Sequence, residues 1–569
     1  MEETVNGTKK QFDWNAIDWR TANRTVRNLR QRIFRATNEG DLKKVRSLQK
    51  LMLRSYSNTV TSVRRVTQLN AGKNTAGVDK LTVKTPSART KLVEELSTLT
   101  IWKAKPARRI YIPKANGKLR PLGIPVVKDR CLQAMVKNAL EPFWEAKFEG
   151  SSYGFRPGRG CHDAISKIYG LARPNKKKKW IVDADIKGAF DNISHEFLLK
   201  AIAQVPGKEL IKQWLKAGFV DNGEFQLTEA GTPQGGVISP LLANIALHGI
   251  EEALTVYKTQ KSGKITVSND GVKFTANGNS IGKRAVVRYA DDFVVFCETK
   301  EDAEKVIEIL TDWLKQRGLM LSPEKTRIVH LSEGFDFLGF NVGQYKCPKT
   351  SRTGWKLLIK PSKKSVTKIR GKLRHEWLAM RGHNITKVMK TLNPIVRGWA
   401  NYFRIGVSKK VFEKLDEWMF KRQLRYVKYI HPTKSWSWRK NKYWGKLNVN
   451  RNDNWTFGDK QTGIYLLKFN WFPIERHILV CGNASPDDPN LTDYWENRKL
   501  ARAYNLTPKR RLVTQQKGKC SVCGDFLDND EEIHKHHKKP KRENGEDKDE
   551  NIQIVHLFCH QQIHSAGSV

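Results

Sequence analysis

Asp291 and Asp292 stand side by side between two apolar runs, Ala285-Val286-Val287 before Arg288-Tyr289-Ala290 and Phe293-Val294-Val295-Phe296 after them. That pattern predicts a tight hairpin with adjacent carboxylates at its tip. A third acid, Asp185, lies much earlier, in Trp180-Ile181-Val182-Asp183-Ala184-Asp185-Ile186. This predicts a strand with Trp180, Val182, Ala184 and Ile186 on one face and Asp183 and Asp185 on the other. Carboxylates at the ends of core strands sit beside low dielectric and repel one another, unless divalent cations neutralise them. Mg²⁺ takes a few carboxylates together with the phosphates of a substrate. Two such ions can activate a 3′-hydroxyl and stabilise a leaving pyrophosphate. An Asp-Asp turn by itself is a solvated turn. The apolar flanks and the separate strand distinguish this one.

A second constellation closes the sequence. Cys520-Ser521-Val522-Cys523 and His556-Leu557-Phe558-Cys559 are two short-spaced ligand pairs separated by a loop, the spacing of a tetrahedral zinc site. A tail this short has little core, so a structural metal would supply much of its folding energy. Interleaved with it are His536, His537, Asn551, His560 and His564. His560 and His564 are four apart and share a helix face, while Cys559 turns towards the other metal.

The rest of the chain must position these groups. It has 569 residues, with 103 Lys and Arg against 57 Asp and Glu, a net charge of +46. That excess calls for a polyanionic partner, nucleic acid first and an acidic membrane surface second. Hydrophobic residues at 39% exclude wholesale disorder. No apolar run is long enough for a spanning helix. Met1-Glu2-Glu3-Thr4 reads neither as a secretory signal nor as a transit peptide, which with unpaired cysteines points to a reducing, cytoplasmic setting.

Helical spacing links Val26, Leu29, Ile33 and Phe34, and again Leu42, Val45, Leu48 and Met52, with Asp41 as the second helix's cap. Arg108 to Lys114 and Leu119 to Pro125 flank Asn116-Gly117, a hairpin signal whose cations suit a triphosphate. Residues 100–345 mix strand and helix patterns, 360–430 are helical and basic, and 431–500 alternate Trp with Lys and Arg. That last stretch suits DNA contact by phosphates and stacking, or a small Trp-filled core.

In these residues the chain resembles a known family. Tyr289-Ala290-Asp291-Asp292 with Asp185-Ile186-Lys187-Gly188-Ala189-Phe190-Asp191 is similar to the palm of reverse transcriptases. The stretch from Gly231-Thr232-Pro233-Gln234-Gly235-Gly236 to Asn244 resembles the block of bacterial group II intron-encoded proteins. The resemblance implies an α+β multidomain chain with right-hand fingers and palm, a helical thumb and a C-terminal ββα-metal HNH module. It implies that Asp185, Asp291 and Asp292 hold two Mg²⁺, with Asp183 and Asp191 structural. Phe190 would exclude a 2′-hydroxyl, Gln234 would line the nucleotide pocket, and Lys114 and Arg120, with Arg108 beside them, would hold the incoming deoxynucleoside triphosphate. Lys325, in Gly318-Leu319-Met320-Leu321-Ser322-Pro323-Glu324-Lys325, would protonate pyrophosphate, and Phe335-Asp336-Phe337-Leu338-Gly339-Phe340 would grip the primer.

Leu392 to Arg404 resembles the family's thumb, or maturase, segment, with Trp399, Tyr402 and Phe403 as packing residues. The tail resembles an HNH endonuclease. There His537 would activate water, Asn551 would orient it, and His536, His560 and His564 would hold a divalent ion. Cys520, Cys523, His556 and Cys559 would hold zinc. The loop Lys538-Lys539-Pro540-Lys541-Arg542 departs from the apolar residue and Gly-Gly usual in that family.

The implied division is 1–100 for the N-terminal helices and family-specific block, 101–345 for fingers and palm, 346–430 for thumb, 431–504 for DNA binding and 505–569 for HNH. The implied function is RNA-directed DNA synthesis, binding and splicing of the chain's own intron RNA as a ribonucleoprotein, and nicking of target DNA to prime copying, in a bacterial cytoplasm at the nucleoid. The rival readings are a polymerase-dead splicing factor, opposed by the intact aspartates, and a polymerase serving another system, opposed by the thumb block and the tail.

Overall fold

The structure, a computed structural model, describes residues 13–98, 102–113, 117, 119–256, 264–268, 271–275, 283–348, 353–504, 509–529, 531–540 and 543–566. Lys114, one of the expected triphosphate ligands, lies outside them.

The N-terminal layer consists of helices Trp19–Asn38, Leu42–Arg54 and Tyr56–Arg64. Asp18 and Asp41 cap the first two through Thr21 N–H (3.1 Å) and Lys44 N–H (2.9 Å). Leu29, Ile33, Val45, Leu48 and Met52 form the buried seam between them. The basic hairpin forms as expected: Arg108–Pro113 pairs antiparallel with Leu119–Ile124. Phe219–Asp221 and Glu224–Gln226 extend that sheet.

The central sheet has strand order Arg327–His330, Trp180–Asp185, Asp292–Cys297, Arg284–Tyr289, all antiparallel. Its two faces lie in different cores. Val182, Ala184, Phe293 and Val295 pack against the helical side, while Ile181, Val287, Val294 and Phe296 pack towards the thumb. Two-sided burial explains why these strands read as near-continuous apolar runs, and why the Asp183–Asp185 face also carries fully buried Ile181.

A three-stranded sheet, Phe335–Phe337, Phe340–Lys346 and Trp355–Pro361, leads into thumb helices Lys363–Ala379, Ile385–Phe403 and Lys409–Ile430. Trp399 and Phe403 stack with centroids 4.4 Å apart, and Phe403 meets Phe340 at 4.8 Å. The Tyr402 hydroxyl donates to the Leu338 carbonyl (2.9 Å). These aromatics are packing residues, as the sequence predicts.

Residues 431–504 divide their tryptophans. Trp444 and Trp495 are buried, whereas Trp436, Trp438 and Trp455 are exposed, with Lys434 and Lys442 over Trp438 and Lys440 over Trp455. The stretch then folds back along the polymerase. Asp163, fully buried, accepts from His477 Nε2 (2.9 Å), the Val480 amide (2.9 Å) and Arg498 Nη2 (2.7 Å). Arg30 of the first helix forks onto Asp487 (2.8 and 2.7 Å).

The C-terminal module is ββα: Ile533–His537 pairs with Ile552–His556, followed by helix Leu557–Ala566. Among the described residues no helix is long and apolar enough to cross a membrane.

Candidate active sites and metal centres

In the central sheet Asp185 pairs directly across from Asp292, and Tyr289 closes the hairpin opposite Asp292. Ala290 takes a left-handed φ of 59° to make the two-residue turn, which brings Asp291 to the tip beside them. Burial, then the Asp291 and Asp185 charges, lift the Asp292 carboxyl to about 7. Burial and Asp185 also raise Asp291. Lys325 Nζ donates to Asp185 Oδ2 at 2.5 Å, and that bond raises its own pKa. A crowded acidic cluster that protonates readily and draws in a lysine has the chemistry of a divalent-cation site.

Asp183 is engaged elsewhere: Arg327 Nε donates to its Oδ2 at 3.0 Å. Asp183, Asp185 and Asp292 open on a cleft of about 890 Å³, lined also by Phe337, Leu338, Lys360 and Lys363. Phe337 pairs with Phe340 around Leu338-Gly339, and the thumb holds this turn through the Tyr402 bond and Ser365 Oγ donating to Gly339 O (2.9 Å).

The hairpin rests on a buried scaffold that the motifs do not announce. Arg288, 0% exposed, donates to Asn244 Oδ1 (3.0 Å) and to the Ala290 carbonyl (3.2 Å). Burial lowers its pKa to about 10, against the pull of Glu149. Asn244 Nδ2 donates to Gly154 O (2.8 Å). Gly154 lies so close to the turn that an added Cβ would meet the Ala290 nitrogen at 2.3 Å. A cation inside an otherwise apolar strand was the available signal for this scaffold.

On the fingers side the Gly123 amide donates to the Gln234 carbonyl (2.7 Å), and a Cβ on Gly235 (φ 123°) would strike Gly123 O at 2.6 Å. Phe190 and Gln234 line one cavity of about 400 Å³ together with Arg109, Asp129, Trp214 and Thr232. Arg109 lies over the Phe219 ring at 3.8 Å. Arg108 and Arg120 share the opposite face of the hairpin, because Arg120 pairs with Ile112, in alternation with Arg108. The Arg120 charge opposes the upward shift at Asp291. Phe190 and Gln234 thus share a cavity with Arg109, whose face of the hairpin is opposite that of Arg120.

In the tail, Cys520, Cys523, His556 and Cys559 are all buried, with ligand atoms within 4.8 Å of one another. Cys523 Sγ and His556 Nδ1 are 3.4 Å apart, against ~3.6 Å expected for S and N around tetrahedral zinc. His556 Nε2 donates to the Phe526 carbonyl (3.2 Å), which leaves Nδ1 as ligand. Burial disfavours the imidazolium, yet Cys520 and Cys559 outweigh it and lift His556 to about 10. The four residues fit zinc.

His536, His560 and His564 form a second such group. His560 and His564 Nε2 atoms are 3.4 Å apart. Burial and the neighbouring imidazoles lower His536 and His560, which keeps them neutral and ligand-ready. Among the described residues these two groups alone bring three or more ligand atoms within 4.8 Å; the more open Asp185, Asp291 and Asp292 set does not.

His537 Nε2 meets Asp547 Oδ1 at 2.6 Å, a partner the sequence did not suggest. Asn551 binds the loop backbone: its Oδ1 accepts from Lys539 N–H (2.8 Å) and its Nδ2 donates to the Lys539 and Glu546 carbonyls (3.1 and 2.9 Å). It thus shapes the loop beside His537. His534, also unannounced, stacks near His560 at 5.3 Å. Its two-residue spacing from His536 on one strand was the usable signal.

A sheet end bearing three acids, a basic hairpin and a helical thumb define a reverse transcriptase. Family models agree: "Reverse transcriptase (RNA-dependent DNA polymerase)" matches residues 112–342 and "N-terminal domain of reverse transcriptase" residues 14–96. "Group II intron, maturase-specific domain" matches 366–444 and "HNH endonuclease" 520–566. Protein YkfC of Escherichia coli strain K12 is 37% identical over 308 residues, 49% of this chain and 78% of that one. Group II intron-encoded protein LtrA of Lactococcus lactis subsp. cremoris is 33% identical over 314 residues, 46% of this chain and 51% of that one, so the chain covers about half of LtrA. A telomerase structure from Candida albicans aligns over 60% of this chain and 61% of that one, at 14% identity and TM-score 0.30, too distant to argue from. With the maturase and HNH matches following the polymerase, the chain belongs to the group II intron-encoded reverse transcriptases that carry an HNH endonuclease domain.

Proposed function

We propose that the chain copies RNA into DNA at Asp185, Asp291 and Asp292, promotes splicing of its own intron RNA, and nicks target DNA to prime the copy. The observation that carries the polymerase reading is the register that sets Asp185 against Asp292 with Asp291 at the adjoining tip. Magnesium held there, as two ions, would activate the primer 3′-hydroxyl and screen the departing pyrophosphate. The primer end would lie in the cleft against Leu338. Arg120, with Lys114, would neutralise the triphosphate, and Phe190 would close the sugar side of the pocket against a 2′-hydroxyl. Lys325, on Asp185 Oδ2, is the local ammonium that could deliver a proton to pyrophosphate once substrate draws it away.

In the tail, zinc on Cys520, Cys523, His556 and Cys559 would be structural. A divalent ion on His536, His560 and His564 would polarise the scissile phosphate of DNA. His537, oriented by Asp547, would take the proton from the attacking water. The thumb and the exposed tryptophans with their lysines would bind intron RNA and target DNA, at 346–430 and 431–504 respectively. A charge of +46 supports a ribonucleoprotein held at the bacterial nucleoid.

Primer extension on an RNA template, with Asp291→Ala as control, tests the polymerase. Sequencing the RNA that copurifies with the chain tests the splicing role: a structured intron is expected, and unrelated small RNA would overturn it.

A further inference from the structure

The zinc-ligand set of the tail does not stand alone. Arg64, the last residue of helix Tyr56–Arg64 in the N-terminal layer, is 5% exposed and reaches across to it. Its Nη2 donates to Cys559 Sγ (3.6 Å) and to Glu531 Oε2 (3.3 Å), and its guanidinium carbon lies 4.5 Å over the Trp19 ring. Cys559 is itself fully buried. Two further bridges join the same surfaces. Arg20 Nη2 donates to the Ser521 carbonyl inside the Cys520–Cys523 turn (2.7 Å), and Gln562 Nε2 donates to the carbonyls of Asn15 (2.7 Å) and Ile17 (3.1 Å).

Three thiolates and a neutral imidazole around a divalent ion carry a net negative charge, and Glu531 adds another. In a buried site such charge needs a cation, and a guanidinium fork suits two adjacent anions. Lys499, on helix Thr492–Ala503 before the module, and Lys519 within it are nearby, but these lie over Phe526, and Lys519 is paired with Glu496. The cation at the thiolate comes from the other end of the chain.

We infer that Arg64 is the counter-charge of the zinc–thiolate centre, and that zinc occupancy and docking of the endonuclease module on the N-terminal helices form one linked equilibrium. The inference rests on the zinc reading of the tail. With zinc bound, Cys559 is a thiolate and a strong acceptor for Arg64. Without it, nothing holds Cys559 in place as the acceptor for Arg64, and the interface loses the contact at its centre. Linkage is reciprocal, so docking tightens zinc by the factor by which zinc tightens docking. Partners of metal ligands are typically worth 10- to 100-fold in metal affinity.

The experiment uses the full chain carrying His560→Ala and His564→Ala in magnesium-free buffer, so that chelation reaches only the four-ligand site. Metal content is measured first, then zinc release to 4-(2-pyridylazo)resorcinol, then hydrogen exchange at residues 15–20 with and without EDTA. Arg64→Met should release zinc about 10- to 100-fold faster, with Arg64→Lys between it and the parent, and primer extension unchanged. EDTA alone should raise exchange at 15–20 in the parent chain, a readout that needs no substitution at Arg64 and so survives a folding failure of Arg64→Met. A chain holding no zinc would overturn the zinc reading and the inference together. One zinc per chain, with release indifferent to Arg64→Met or exchange at 15–20 indifferent to EDTA, would overturn the inference alone.

Discussion

Gly154→Ala places a single methyl group against the backbone of the catalytic turn. The added Cβ would lie 2.3 Å from the Ala290 nitrogen, 2.9 Å from the Tyr289 carbonyl carbon and 3.1 Å from the Ala290 Cα. Comfortable heavy-atom separations are ~3.5 Å, so the two backbones must part by roughly 1 Å. Neither side yields easily. The Tyr153 amide donates to Arg288 O (2.9 Å), the Arg288 amide to Ser151 O (3.0 Å), and Asn244 holds the Gly154 carbonyl. The displacement therefore passes along the turn to Asp291 and Asp292. A reacting group misplaced by ~1 Å costs on the order of 100-fold in rate, or about 2.7 kcal/mol of barrier. Single-turnover primer extension on an RNA template should show that loss, with template–primer affinity unchanged and a cooperative melt retained. A well-folded Gly154→Ala chain that extends primers at the parent rate would refute the claim that this glycine exists to let the catalytic turn approach.

Asp185→Asn or Asp291→Asn should each remove several kcal/mol of transition-state stabilisation, abolishing extension while leaving template–primer binding in EDTA intact. Magnesium should bind in competition with a proton: with Asp292 near 7, its ionised fraction rises about tenfold from pH 6 to pH 8, and the Mg²⁺ concentration for half-maximal extension should fall accordingly. The same raised carboxyl favours the metal-free fold fully below its unfolded value of 3.8, and that contribution disappears as pH rises through 7; Mg²⁺ should thus raise the melting temperature more at pH 8 than at pH 6. Cys523→Ser should abolish DNA nicking and expose residues 509–566 to protease, while primer extension survives.

The catalytic carboxylates were legible because a strand buried on both faces tolerates an acid only at its end, and because the Asp-Asp step interrupts two apolar runs. The ligand pairs of the tail were legible from spacing alone. Arg288 was visible as an oddity in an apolar strand, but its partners Asn244 and Gly154 come from segments that only the fold brings together. The hairpin cations were legible as a set, whereas their division between Arg108 with Arg120 and Arg109 on the other face required the register. His534 was hidden by the more obvious His536-His537 pair. The tryptophans of 431–504 defeat composition altogether: Trp444 and Trp495 are core and Trp436 and Trp455 are surface, and nothing in their immediate neighbours separates the two groups.

The return of residues 475–504 along the polymerase bears on how this enzyme could be shortened. Asp163 belongs to the polymerase, yet three of its partners, His477, Val480 and Arg498, come from beyond the thumb. Removing the partners of a buried charge costs about 3–5 kcal/mol, a large share of the ~5–15 kcal/mol that holds a typical domain together. A chain ended after residue 474 should therefore come out of solution as aggregate. The same chain with Asp163→Asn, which retires the orphaned charge while Arg30 keeps Glu141 (2.9 Å), should recover soluble protein. Evolutionary loss of the endonuclease would meet the same obstacle, and is easiest at a point beyond Arg498 that leaves this strap in place.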